Sequence, residues 1–433
     1  MNKTKLFPVL CLLVAGINTR AQNAVVPELK KEALTLQSSD HKFKLSVHGR
    51  IQMDGALFHG EDYQPVGNGV SFRRVRLGTK FSFGEHLSGK IEVDFADSDV
   101  GLKDAYIQYK FFDGFSLKVG NFIEAYSMET TASSTNLMFL ERANAVSAFA
   151  PGRHIGLQAD YSRGNFLGIG GVHFRQVDGS KEKENSDDNN KAGYNEGFSV
   201  TGRAVWMPHS SEQHKGLHFG LAASYRTPTS DASADVPDAV DISSPSLSGI
   251  NKIKFLDTGL ITDVSHTWLV GAEFAAYYHG FRLQSEYMQN NTVRKEALPT
   301  EKFNGYYVQA GYLLFGGNQE YDTSEGIFSQ PQTGRAWGDV ELAARFDRLD
   351  LNGKTVKGGE ANNYTVGINY YLNRNFKIQL NYSYLMHDKY ANADGEAWIG
   401  KDKNGKVTSA PDEVAGNGGN DFSMWSIRFQ LRF

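Results

Sequence analysis

The sequence predicts an all-β fold, a transmembrane antiparallel β-barrel of about 16 strands with one loop folded inward to constrict it. Three observations carry that expectation. The chain ends in MWSIRFQLRF, where Trp425, Ile427, Phe429, Leu431 and Phe433 alternate with Ser426, Arg428, Gln430 and Arg432 without a break. A strand points successive side chains to opposite faces, so this ribbon has one apolar wall and one wet, cationic wall. The same alternation recurs along most of the chain. Its connections, finally, alternate between brief turns and long polar loops, as in an up-and-down meander with turns facing the periplasm and loops facing outside.

Composition agrees with many strands and few helices. Aromatics make up 12% of the 433 residues, Gly is abundant at 45 and Pro scarce at 11. Mean hydropathy is −0.42, a value that hides a transmembrane barrel because its strands bury only alternate residues in lipid. The formal charge of −4 argues against nucleic acid as a partner. Gly168, Gly170 and Gly171 lie within a strand pattern and open no helix, and the histidines lack metal-ligand spacing, so no cofactor or metal is expected. The Asp187-Asp188-Asn189-Asn190 and Asp402-Lys403-Asn404-Gly405 runs do not match a calcium-binding loop.

Residues 1–21 read as a secretory signal: Lys3 and Lys5, an apolar core from Leu6 to Ala15, and Thr19-Arg20-Ala21 before the cleavage point. The single cysteine, Cys11, falls in that core, and loss of Lys3, Lys5 and Arg20 takes the charge from −4 to −7. Residues 22–41 form a short, polar periplasmic lead-in with at most a turn or two of helix. Residues 42–433 form one barrel domain. In its first ribbon Phe43, Leu45, Val47, Ile51 and Met53 share a face. The second sets Val75, Leu77, Thr79, Phe81 and Phe83 against Arg74, Arg76, Gly78, Lys80 and Ser82, a basic inner wall. The third places Glu92 and Asp94 opposite Ile91, Val93 and Phe95, so its inner wall is acidic. The fourth turns Asp104, Tyr106, Gln108 and Lys110 inward before a tight Asp113-Gly114 turn.

Regular alternation then stops from Asn121 to Pro151. A long loop in a strand-rich domain is functional or disordered, and Phe122, Tyr126, Leu137, Met138, Phe139, Leu140 and Phe149 make this one too apolar for disorder. It is expected to pack inside the barrel. Strands resume at Ile155 and at Phe198–Trp206, Leu217–Tyr225, Trp268–Tyr278, Phe281–Tyr287, Tyr306–Leu314, Val340–Phe346, Tyr364–Tyr370 and Phe376–Tyr384. Gly316 to Arg335 is long where a short turn is due.

From Phe72-Arg73-Arg74-Val75-Arg76-Leu77-Gly78 onward the chain resembles the phosphate-selective porin O and P family of bacterial outer membranes. Matching stretches follow at VDFADSDVGLKDAYIQY, LKVGNF, SMETTASSTNLMFLERAN, AFAPGRHIGLQ, WGDVELAARFDRLDL and INYYLN, over about residues 42–433. The resemblance implies a trimeric porin of sixteen strands in the outer membrane of a Gram-negative bacterium, passing inorganic phosphate, polyphosphate or other small anions. It also implies a central anion site at Arg73, Arg74, Asp104, Ser133, Ser134 and Arg142. The chemistry is sound: guanidinium forks hold oxyanions bidentately, hydroxyls donate to remaining oxygens, and a carboxylate orients an arginine. Strict alternation points Arg74 inward and Arg73 outward, so both reach the lumen only through a bulge or strand end.

The inward phases further place Arg76, Lys80, Lys118, Arg203, Arg226, Arg282, Arg345 and Arg428 on a lumenal cation track, interspersed with Glu92, Asp94, Asp160, Glu273, Glu286, Glu341 and Asp347. Arg428 and Arg432 are expected away from the Arg74 and Arg142 constriction. Phe433 resembles the C-terminal signal by which the outer-membrane assembly machinery receives barrels, and the apolar wall faces outer-membrane lipid. The mixed lumen leaves open a general or organic-anion porin without phosphate selectivity. A more distant alternative is a barrel enzyme such as a phospholipase, with His154 and Ser162 as its candidate residues.

Overall fold

A computed structural model describes residues 26–30, 33–98, 100–177, 196–209, 212, 214–229 and 237–433. The expected signal segment and the Asp187 to Asn190 run lie outside the described residues. The wall is built from β1 (Phe43–His59), β2 (Gly69–Phe83), β3 (Leu87–Asp94), β4 (Gly101–Phe112), β5 (Phe115–Ile123) and β6 (Arg153–Arg163). It continues through β7 (Phe166–His173), β8 (Ser199–Trp206), β9 (Lys215–Arg226), β10 (Val264–Tyr278) and β11 (Phe281–Arg294). The remaining strands are β12 (Glu301–Leu313), β13 (Asp339–Asn352), β14 (Lys357–Tyr371), β15 (Phe376–His387) and β16 (Phe422–Arg432).

Each strand pairs antiparallel with its neighbours in chain order, and β16 returns to β1 from Ser423↔His59 to Arg432↔Arg50. The main sheet has eighteen strands; two belong to a hairpin before β1, leaving the expected sixteen in a closed wall. Closure leaves the wall no free sheet edge across the bilayer, the condition for crossing lipid as strands. At the seam Gly49 exchanges hydrogen bonds with Phe433, 2.8 and 3.1 Å. A Cβ on Gly49 would sit 2.5 Å from the Phe433 ring, so glycine lets the last residue lie flat. The outer face is apolar, with Leu57, Val70, Phe72, Val119 and Leu221 exposed. Stacked rings such as Phe166, Trp206 and Phe219 (centroids 6.5 and 5.7 Å apart) contribute to an aromatic girdle.

The lead-in departs from expectation. Instead of helix it forms strands Val26–Lys30 and Ala33–Gln37, the second pairing with β1 from Leu34↔Val47 to Gln37↔Lys44. The reason is an unpaired edge: β16 covers β1 only from Arg50 upward, and the hairpin satisfies the backbone below.

Three connections fold into the lumen. The first joins β5 to β6 and carries α1 (Met128–Thr131) and α2 (Asn144–Phe149), with Ser127 capping α1. It lies against the far wall. Glu286 accepts from the Met128 and Glu129 amides (3.1 and 2.9 Å), Asn369 donates to Met138 O (2.9 Å), and Arg428 donates to Leu140 O (2.6 Å). The second joins β9 to β10; its hairpin, Val240–Ser244 with Leu256–Ile261, packs Ile242, Leu247 and Phe255 against Val146, Phe149 and Phe422.

The third is the long connection from β12 to β13. Its short hairpin, Tyr321–Asp322 with Ile327–Phe328, rises into the barrel beneath α1, where Ile327 and Phe328 pack with Met128 and Ala132. Arg203 fixes it by donating to the Glu325 and Gly326 carbonyls, both at 2.9 Å. The excess length is therefore an insertion into the lumen, and the strand count is unaffected.

Candidate functional site

These insertions make the pore one-sided. Inward residues of β8 to β16 are buried, among them Arg203, Glu273, Arg282, Glu286, Tyr307 and Glu341. On β2 to β6, Arg74, Glu92, Asp94 and Asp104 are likewise buried, but Arg76, Lys80, Lys90, Tyr106, Gln108, Lys118 and Asp160 are half-buried or exposed, so the more open side of the lumen lies along that wall.

Where the inward loop meets the wall, β2 carries a bulge. Gln52 pairs with Arg74 and Met53 with Phe72, which leaves Arg73 as the extra residue. The bulge turns both arginines inward. Arg73 Nε and Nη2 donate to Glu141 of the inward loop at 2.7 and 3.1 Å. Arg74 donates to Gln52 at 2.9 Å and lies 3.9 Å from Glu141. Arg428 joins from β16, forked onto Asp54 at 2.7 and 2.6 Å and 3.1 Å from Glu141. Burial alone would raise the Glu141 carboxyl, but the Arg73, Arg74 and Arg428 guanidiniums hold it well below the usual carboxylate range.

A second cluster lies beside the first on the open wall. Arg50 Nη1 donates to the hydroxyls of Ser133 and Ser134 (3.0 and 3.1 Å), while its Nη2 reaches Glu92 at 2.9 Å. Arg76 binds Asp94 at 2.7 Å, and Lys90 bridges Glu92 and Asp104 at 3.2 and 2.5 Å. Arg153 completes the group, 2.7 Å from Asp104. Glu92 opposes both Lys103 and Asp104 at a further bulge, since Ile91 pairs with Ala105 and Val93 with Leu102. Arg50, Arg76, Lys90, Lys103 and Arg153 thus face Glu92, Asp94 and Asp104, leaving a local cation excess.

The expected site residues divide accordingly. Arg73 and Arg74 meet at Glu141, and Ser133, Ser134 and Asp104 meet around Arg50 and Glu92, with Gln52 linking the two groups through Ser134 O (3.2 Å). Arg142 turns away. Its Nε and Nη2 donate to the carbonyls of Glu129, Thr130 and Ala132 at 2.9, 3.2 and 3.0 Å, which ties the end of α1 down.

The expected cation track is split. Arg76, Lys80 and Lys118 face the open wall, Lys118 lying over the Tyr106 and Phe122 rings. Arg203, Arg226, Arg282 and Arg345 serve the packed side, paired with Glu273, Glu124, Glu341 and Asp347. Arg428 is not remote from the constriction as the strand phase implied. The inward loop crosses the lumen and brings Leu140 and Glu141 onto it. Arg432 likewise reaches loop residue Asn136, at 3.2 Å.

Arg50, Lys90, Arg153 and Glu141 complete the site without having been singled out in the sequence. Arg50 shares an inward phase with Gln52 and Asp54, and Lys90 with Glu92, so both were readable. Arg153 shares the lipid-facing phase of Ile155 and Leu157, and only its place at the start of β6 lets it turn inward.

The phospholipase pair does not assemble. His154 Nδ1 lies 2.8 Å from Glu124, and Ser162, eight residues on along β6, is roughly 26 Å away at the rise of an extended strand. Among the described residues no group of three or more His, Cys, Asp or Glu is placed to hold a metal ion. Asp402 instead accepts from the Asn404 and Lys406 amides, capping its own turn.

Comparison with known proteins fits this architecture. OmpT of Vibrio cholerae superposes with a TM-score of 0.53 at 10% identity, covering 94% of this chain and 99% of its own. The anion-selective porin from Comamonas acidovorans gives 0.52 at 12% identity, covering 90% of this chain and 100% of its own. Both are likenesses of fold. In sequence, Porin O of Pseudomonas aeruginosa is 24% identical over 405 residues, 84% of this chain and 88% of that protein. An uncharacterized protein of Caulobacter vibrioides is 28% identical over 362 residues, 80% of this chain and 69% of its own. The family model of the phosphate-selective porins O and P matches residues 45–410, which takes in all of the inward loop and, apart from the first two residues of β1, every strand of the wall but the last. The chain therefore belongs to the phosphate-selective porin O and P family of outer-membrane porins.

Proposed function

We propose that this porin passes small anions by passive diffusion, phosphate or polyphosphate among them, along the wall formed by β2 to β6. The observation that carries this reading is the cation excess around Arg50, Arg76, Lys90, Lys103 and Arg153 on the one open side of the constriction. A hydrated oxyanion shed of water there meets guanidinium and ammonium donors together with the Ser133 and Ser134 hydroxyls. Lys80 and Lys118 continue the positive wall toward the periplasm. No bond is made or broken. The name of the Comamonas porin, anion-selective, supports the reading.

The working unit is a homotrimer, supported by the trimer form of Vibrio OmpT, with the apolar outer face against lipid and Phe433 as the handle for barrel assembly. A general or organic-anion porin is the second reading, favoured by Glu92, Asp94, Asp104 and Asp160 in the same open wall.

Chloride current through single channels, titrated with phosphate, tests the assignment. Phosphate should block the current, and Arg50→Ala should weaken the block about tenfold. Chloride current that phosphate leaves untouched would favour the general-anion reading. An Arg50→Ala channel blocked as readily as the parent would remove Arg50 from the site.

A further inference from the structure

We propose that Glu141 is a tethered counter-anion, its carboxylate occupying the Arg73, Arg74 and Arg428 site between solutes and giving way to a passing oxyanion. This rests on the anion-pore reading above and adds a specificity-determining residue to it. Glu141 Oε1 receives Arg73 Nε at 2.7 Å and Arg428 Nη2 at 3.1 Å, and Oε2 receives Arg73 Nη2 at 3.1 Å. A carboxylate offers a guanidinium the same two-oxygen edge that a phosphate offers, so the two compete for one fork.

The geometry separates what moves from what stays. Arg428 is locked by Asp54 and the Leu140 carbonyl, and Arg74 by Gln52. Arg73 has Glu141 as its sole hydrogen-bond partner among the described residues, and its side chain is 34% exposed. When the carboxylate swings off, Arg73 is free to take a solute. The loop does not need that carboxylate to stay in place, because the Glu141 carbonyl accepts from Arg345 at 2.9 Å and the Leu140 carbonyl from Arg428 at 2.6 Å.

The packing beside the carboxylate is incomplete by about one water. A small cavity next to the carboxylate is bounded by Asp54, Leu140, Ser248, Gly249 and Ser426, and the Ser426 hydroxyl is buried without a partner. Gly249 lets Arg73 lie close: a Cβ at that position would come within 2.5 Å of Arg73 Cδ and push the side chain aside.

The test measures the phosphate concentration that halves chloride current in the parent channel, Glu141→Gln and Glu141→Asp, with folding checked by heat-modifiable gel mobility. Removing the competing charge in Glu141→Gln should lower that concentration about tenfold, and withdrawing it by one methylene in Glu141→Asp about threefold. A concentration that is unchanged or raised in both variants, in a parent channel that phosphate does block, would overturn the tethered counter-anion and leave the pore reading intact. If Glu141→Gln does not fold, an unchanged Glu141→Asp suffices to overturn it. A parent channel that prefers cations would overturn both.

Discussion

Glu124 is the residue at which the inward loop leaves the wall, and its carboxylate is saturated with donors. Ser199 and Thr201 hydroxyls reach it at 3.2 and 2.6 Å, Arg226 at 2.9 Å, and His154 Nδ1 lies at 2.8 Å. Burial works to raise this carboxyl, yet His154 and Arg226 hold it well below the ordinary range. A depressed folded-state value means that its stabilisation is present above the unfolded carboxyl's range and is lost only as pH falls through the lower folded value, so the anchor survives mild acid. Glu124→Gln should destabilise the barrel by about 2 kcal/mol, because it leaves the half-buried Arg226 facing a neutral amide. A chemical-denaturation midpoint unchanged by Glu124→Gln would show the pairing to be dispensable. Such contacts were not readable from alternation. Period two assigns a side chain to a face, and it did so for Arg74, Arg76 and Lys118, but it does not say which inward charge meets which, and loop residues such as Glu124 and Glu141 have no phase at all.

Among elements, the strands were legible because lipid on one side and water or polar lumen on the other force strict alternation. The inward loop was legible for a different reason, since its apolar residues demanded a packing partner inside the barrel. The hairpin between β12 and β13 showed only as a length anomaly, and the lead-in strands left no clear signal because they pair with a short exposed edge rather than span the bilayer. Function follows from the hairpin's position under α1. Replacing residues 319–331 with a short turn should leave the sixteen-strand ladder untouched while emptying the space around Arg203 and Arg282. Single-channel conductance should then rise roughly twofold. An unchanged conductance would mean that this side of the lumen carries no current even when opened.

At the scale of the whole molecule, the proposed anion path runs through a chain that is acidic overall. The net charge of −4 does not set the local balance, because Arg203, Arg282 and Arg428 are consumed in buried pairs, while Arg76, Lys80 and Lys118 on β2 and β5 keep partly exposed side chains. The expected track around the whole lumen thereby becomes a stripe along one side. On the proposed reading such a stripe would select by sign of charge, with carboxylates such as Glu92 and Asp104 moderating its strength. The most direct measurement is the zero-current potential of the parent channel in a planar bilayer under a tenfold potassium chloride gradient. An anion path along β2 to β6 predicts a potential close to the chloride equilibrium value; a potential near zero, or of the sign set by potassium, would contradict it.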